Sequence, residues 1–222
     1  MTTDGQAAEA AELVRHLERI ARAEGVDLGR IRAVAGQYTG AEVDAERGAV
    51  FVYPRPERTF QVRIALHRVF AWSEGWTDDL VATVRVADLW RRGARLRELN
   101  ERFPFMSWSA LAQGFEDGDP AAAKWRELLG SDWHLPDRPL LSAGHAHPEL
   151  RAFYPDMSHG SLMLCRRPFE FESGLAKIMP LDEDRYRVSM LPAGFRREVS
   201  SLAVALELAA RWFRETETPP SR

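Results

Sequence analysis

The stretch TFQVRIALHRVFAW, residues 59–72, decides the fold class. Phe60, Val62, Ile64 and Leu66 alternate with Gln61, Arg63 and Ala65, and a period of two marks a strand that turns one face to a core. Just upstream, AVFVYP (49–54) follows Gly48 as a second strand-like run, so the region reads as an antiparallel meander. Helices flank it. Between Gln6 and Glu24 the residues Leu13, Val14, Leu17, Ile20 and Ala21 fall at helical spacing, and Gly25 stands where a C-terminal cap belongs. Beyond the meander, Thr77 followed by Asp78 and Asp79 predicts an N-cap and an acidic first turn, opening a helix that runs to about Arg92.

Further along, helical patterns cover 94–102 and 107–115, and a third helix opens at Asp119–Pro120 and closes at Gly130. Residues 131–147, SDWHLPDRPLLSAGHAH, are rich in Pro, Gly and His without a period and predict an irregular connection. A short helix over 148–154 then leads to three strand-like runs, 160–165, 175–181 and 185–191, with a turn at 182–184. The last helix carries one apolar stripe, Val199, Leu202, Ala203, Leu206, Ala209, Ala210 and Phe213. The ending TETPPSR predicts disorder.

The expected fold is therefore α+β, two small helix-capped antiparallel sheets joined by a helical middle segment. It divides into an N-terminal unit (1–103), a connector (104–147) and a C-terminal unit (148–222), or these pack as one compact domain. GAVFVYPR is loosely like GSLMLCRRP, and RTFQVRI like DRYRVSM; common strand composition accounts for this as well as an internal repeat does.

Composition limits the function classes. The chain has 222 residues, 45% hydrophobic, with seven Trp and eleven Phe, enough to build one sizeable core or two small ones. The opening MTTDGQAAEAAE lacks an apolar targeting segment, and Glu207 interrupts the apolar run LAVALELAARWF, so the expectation is a cytoplasmic protein without a membrane anchor. A single cysteine, Cys165, excludes an internal disulfide and reads as a buried, inert thiol. Only Lys124 and Lys177 are lysines, so the Arg clusters reflect a general preference for Arg. They are interleaved with Asp88, Glu98 and Glu101 and read as a solvated helix face, which argues against nucleic acid as a partner.

No phosphate-binding loop, dinucleotide fingerprint, HExxH or GxSxG occurs, and no cofactor is expected. What remains is local enrichment: four of the six histidines, His134, His145, His147 and His159, share a stretch with Asp132, Asp137, Glu149 and Asp156. They meet no standard ligand spacing, and no metal is expected. The catalytic candidates are Ser158 and His159, adjacent on a turn, with His147, which precedes Pro148 at the expected helix start. The structural alternative has Ser158 capping amides, Gly160 supplying a turn and a buried His159 anchoring the strand, with His147 as a neutral cap. Most tryptophans read as core. The exception is WSEGWTDD (72–79), where two tryptophans flank a glycine turn before a helix N-terminus; Trp72, Trp76 and Thr77, with Tyr154, are the ligand-binding candidates.

Three tracts, AWSEGWTDDLVATVRVADLWRRGARLRELNERFPFM, HPELRAFYPDMSHGSLMLC and PLDEDRYRV, give the chain a family likeness. It resembles an uncharacterised actinobacterial family labelled "natural product biosynthesis protein". The resemblance implies a role beside specialised-metabolite gene clusters and carries over no catalytic residue. Asp156 and Met157 stand where that family has aromatic or polar residues before the Ser-His pair. The expected function is an accessory or binding protein of such a pathway, holding a small molecule, a peptide or a pathway protein. The alternatives are an enzyme working at the Ser158/His159 turn, and an immunity or regulatory protein that binds a protein partner.

Overall fold

The chain forms two five-stranded antiparallel sheets, each with its strands side by side in sequence order. The computed structural model describes residues 3–36, 38–66, 69–182 and 184–216. They divide into one unit ending at Glu116 and another beginning at Asp117. The α+β class is as expected. The dividing point falls inside 104–147, so the helices expected to form a connector are shared between the two units. Of the TETPPSR ending, all but Thr216 lies outside the described residues.

The first unit runs α1 (Thr3–Glu24), β1 (Ile31–Val34), β2 (Gly40–Val43), β3 (Ala49–Pro54), β4 (Phe60–Leu66), β5 (Phe70–Thr77), α2 (Leu80–Arg91), α3 (Leu96–Arg102) and α4 (Ala110–Glu116). In α1 the residues Ala10, Leu13, Leu17 and Ala21 are buried, and this face lies on β1 and β2. The amide of Val26 closes the helix on the Ala21 carbonyl at 2.8 Å. Val62 and Ile64 of β4 enter the same core as Val50 and Val52 of β3, as the alternation requires. β3 is apolar on both faces, and Phe51 and Tyr53 join Ala65 in a separate cluster on the other side of the sheet. Trp90 fills the core from α2 and donates its indole N–H to the Gly48 carbonyl at 2.9 Å.

Glu116, at the end of α4, ties the unit's helices. Its carboxylate accepts from the Leu96 amide (2.9 Å) at the start of α3 and from Arg95 Nε (3.2 Å). Arg47 lies 3.6 Å away from it and stacks on the Trp90 ring.

The second unit runs α5 (Pro120–Gly130), α6 (Arg138–Ala146), β6 (Tyr154–Ser158), β7 (Ser161–Cys165), β8 (Leu175–Asp182), β9 (Arg185–Leu191), β10 (Phe195–Val199) and α7 (Leu202–Glu215). Leu162, Leu164, Ala176, Ile178, Val188 and Met190 line one face of its sheet, under Trp125 of α5 and the Leu206–Phe213 stripe of α7. Trp125 is buried and donates to the Arg151 carbonyl at 3.1 Å.

Several elements depart from expectation. Residues 138–146, read as irregular, form α6: Pro139 sits in the first turn, where its missing N–H costs nothing. Gly144 is there because α6 packs closely; a Cβ would come within 2.7 Å of Leu162 and 3.2 Å of the Trp125 ring. The helix expected over 148–154 is a single 3-10 turn, Leu150–Ala152, followed by β6. Pro155 is tolerated in β6 because that strand ends the sheet and one side of its backbone has no strand to pair with. The C-terminal sheet thus has five strands rather than three. RTFQVRI and DRYRVSM both fall on the fourth strand of their sheets, whereas GAVFVYPR is a third strand and GSLMLCRRP a second. Among the described residues no helix is long and apolar enough to cross a membrane.

Leu206, 6% exposed at the centre of the α7 stripe, reports on this packing. Leu206→Ala should lower the unfolding free energy by about 2–5 kcal/mol in urea titration. A loss below about 0.5 kcal/mol would mean that α7 does not cover the sheet.

Candidate functional site

Two of the three catalytic candidates, Ser158 and His159, lie at the turn between β6 and β7. Ser158 pairs with Ser161, leaving His159 and Gly160 as a two-residue loop, and both have positive φ (50° and 69°). This is the type I′ geometry that matches the twist of a hairpin; Gly160 adopts it freely and His159 at some strain. His159 is exposed, not buried at the strand start as expected. Close by, Asp137 sits where a Cβ on Gly160 would come 3.7 Å from its carboxylate, and His134 Nδ1 lies 3.7 Å from the same side chain. The turn therefore presents one exposed imidazole beside a His–Asp pair.

His147 is elsewhere and does other work. It caps the C-terminal end of α6, its amide bonding to Ala143 O at 3.1 Å, so the expected position at a helix start is corrected. The reason is that α6 exists where an irregular segment was read. Its Nδ1 accepts from the Glu149 amide (3.4 Å), which leaves Nε2 to face Glu207 of α7 at 3.7 Å. The hydrogen bond from Arg214 holds the Glu207 carboxyl below its ordinary value. His145 lies against the Trp125 ring at 5.4 Å. The four clustered histidines are thus dispersed, and among the described residues no group of three His, Cys, Asp or Glu is placed to hold a metal ion.

Trp72, Trp76 and Thr77 lie in the first unit, on β5. WSEGWT is continuous strand there, with no glycine turn between the tryptophans. A bulge opens at Trp72, because Ile64 pairs with Ser73 while Ala65 pairs with Ala71. It swings Trp72 into the core against Phe70, Trp90 and Phe115. Trp76, opposite Gln61, faces the other side of the sheet and is 54% exposed. Two residues that plain alternation would put on one face are therefore separated. Thr77 accepts from the Asp79 amide (3.0 Å), and Asp79, not Thr77, caps α2 through Val81 and Ala82. The cap falls two residues later because β5 runs through Thr77.

Tyr154 belongs to the second unit, buried on β6 opposite Cys165. Burial pushes its phenol well above the ordinary range, with Asp156 adding to the effect. Burial likewise pushes the Cys165 thiol up to about 11, again with help from Asp156.

Sequence reasoning missed the segment beside the hairpin. Trp133, 91% exposed, and Leu135, 57% exposed, flank His134 around a 3-10 turn, Asp132–His134. The patterning counted Trp133 as core; the signal that it was not is its place among Asp132, His134 and Pro136.

Residues 119–213 match the model of a family of unknown function, DUF6193. The match begins at the N-cap of α5 and ends on α7, so it covers the second unit almost entirely. No curated protein and no solved structure matches the chain.

Two outcomes follow. Gly160→Ala should cost about 1 kcal/mol or more in urea denaturation, because φ of +69° strains any Cβ, whereas His159→Asn should be neutral or stabilising. Equal stability of Gly160→Ala and wild type would contradict the turn. At pH 8 only about one Cys165 in a thousand is thiolate, so a thiol reagent such as DTNB should leave it untouched in native protein and titrate it fully in urea.

Proposed function

We propose that this protein is a non-catalytic binding protein that serves a specialised-metabolite pathway by holding a pathway protein or peptide. The observation that carries this reading is the Trp133–Leu135 turn, which holds a nearly fully exposed indole beside a second apolar side chain. An ordered tryptophan left in water is a cost to the isolated chain, and Trp is the commonest anchor of protein–protein hot spots. The biosynthetic setting is supported by the family resemblance of the Trp72–Met106 and His147–Cys165 tracts. His147, engaged between Glu149 and Glu207, and Thr77, engaged with Asp79, support it further, since each holds an element in place.

A second reading, an enzyme acting at the Ser158/His159 turn, draws on the exposed imidazole beside the His134–Asp137 pair. Complementation separates the two. In a host deleted for the gene, the Ser158→Ala/His159→Ala double variant should restore the metabolite to about the wild-type level. Trp133→Asp/Leu135→Asp should not restore it, although both variants keep the wild-type melting temperature. The reverse pattern would favour the enzyme.

A further inference from the structure

The edges of the two sheets are not treated alike. β5, which ends the first sheet, is closed by reciprocal backbone bonds between Glu74 and Ser107, at 2.9 and 2.8 Å. β1, at the other end of that sheet, lies against α1, and β6 of the second sheet lies against α5. β10 ends the second sheet with α7 packed against it but no strand or backbone bond closing its outer edge: Phe195, Arg196, Arg197 and Glu198 are all exposed, and only Val199 is half-buried. Beside it runs a groove of about 400 Å³, bounded by Arg185, Arg197, Glu198, Val199, Ser200 and Val204 of α7. An open strand edge with an adjoining groove is the geometry that accepts an added strand.

Charge selects the occupant. Glu198 is already engaged, accepting from Arg187 at 2.7 Å with Arg185 at 3.9 Å, and Arg185 is itself bonded to Asp182. The side chains of Arg196 and Arg197 make no hydrogen bond or ion pair among the described residues, although Arg196, on the same face as Glu198, adds to the Arg187 hydrogen bond and the charges that hold the Glu198 carboxyl low. Consecutive strand residues point to opposite faces, so the edge offers one unpaired guanidinium on each face, with Phe195 and Val199 on the same face as Arg197. A second copy would bring the same two unpaired cations to the edge, which disfavours self-pairing.

We propose that β10 is a docking edge for an extended acidic segment of a partner protein, which adds as a sixth strand. Two adjacent carboxylates on that segment reach Arg196 and Arg197 on opposite faces, and flanking β-branched residues cover Phe195 and Val199. The assignment rests on the binding role proposed above and names the chemistry of the partner.

The probe is a fluorescent heptapeptide, Thr-Val-Thr-Glu-Glu-Val-Thr, titrated into the full chain. It should bind saturably, and more weakly as salt rises. Arg196→Glu/Arg197→Glu should weaken it at least about tenfold while leaving the melting temperature unchanged. The same variant should bind a peptide with lysines in place of the glutamates. Methylating alternate backbone nitrogens of the peptide, in the register that faces β10, should abolish binding, a loss that purely electrostatic association would not show. Lack of binding at millimolar peptide, or binding indifferent to charge reversal or to N-methylation in both registers, overturns the proposal. So does a concentration-dependent dimer that the Arg196/Arg197 variant abolishes, which would assign the edge to a second copy. Failure here with Trp133 still required for complementation would remove the edge and leave the binding role standing.

Discussion

One fully buried tryptophan in each unit, Trp90 and Trp125, both buries a large ring and places its one N–H, whereas the buried indole N–H groups of Trp72 and Trp212 find no partner among the described residues. Trp90 and Trp125 are both essentially fully buried, and each hands its indole proton to a carbonyl of the connecting chain, Gly48 or Arg151. A buried indole without a partner would forfeit about 1–3 kcal/mol. The hydrogen bond therefore fixes a loop as well as a ring. In the first unit it sets the β2–β3 turn against α2, and Arg47 on that turn then lies over the same ring and within reach of Glu116. In the second it sets the 3-10 turn before β6, which leads the chain into the sheet.

Around these anchors the sheets obey one rule. A strand buried on one face alternates, and a strand buried on both does not. β4 is the first kind, β3 the second, and both were legible as sequence. The helices that cover the sheets, α1, α2 and α7, were legible for the same reason, since a sheet face can be covered only by a stripe at helical spacing, and that stripe is printed in the residues. Caps were legible less sharply. Asp79 lies two residues beyond Thr77 because the strand before it runs longer than its composition implies.

The departures share a cause as well. β6, β10, β1 and β2 are short or polar, with Pro155 in one and three charged residues in another; such strands earn their place from the neighbour they pair with, which no local pattern records. α6 was hidden by Pro139 and Gly144. The first is harmless in a first turn, and the second is required by the Leu162 and Trp125 side chains packed against it, a fact of tertiary contact alone. The functional candidates were affected most. A one-residue bulge moves Trp72 away from Trp76, and the new helix turns His147 from a helix start into a helix end.

The sequence by itself determined the α+β class, the helices that bear full apolar stripes, the central strands and the buried state of Cys165, because each depends on periodicity or residue chemistry within a single element. Only the tertiary structure decided that each sheet has five strands, that Ser158–Gly160 is a hairpin turn with His159 in solvent, and that Trp133 stands exposed beside it. It alone also left β10 with an open edge. Edges, bulges and exposure are relations between elements, set by which neighbour arrives at each face, and no stretch of sequence carries its neighbour with it.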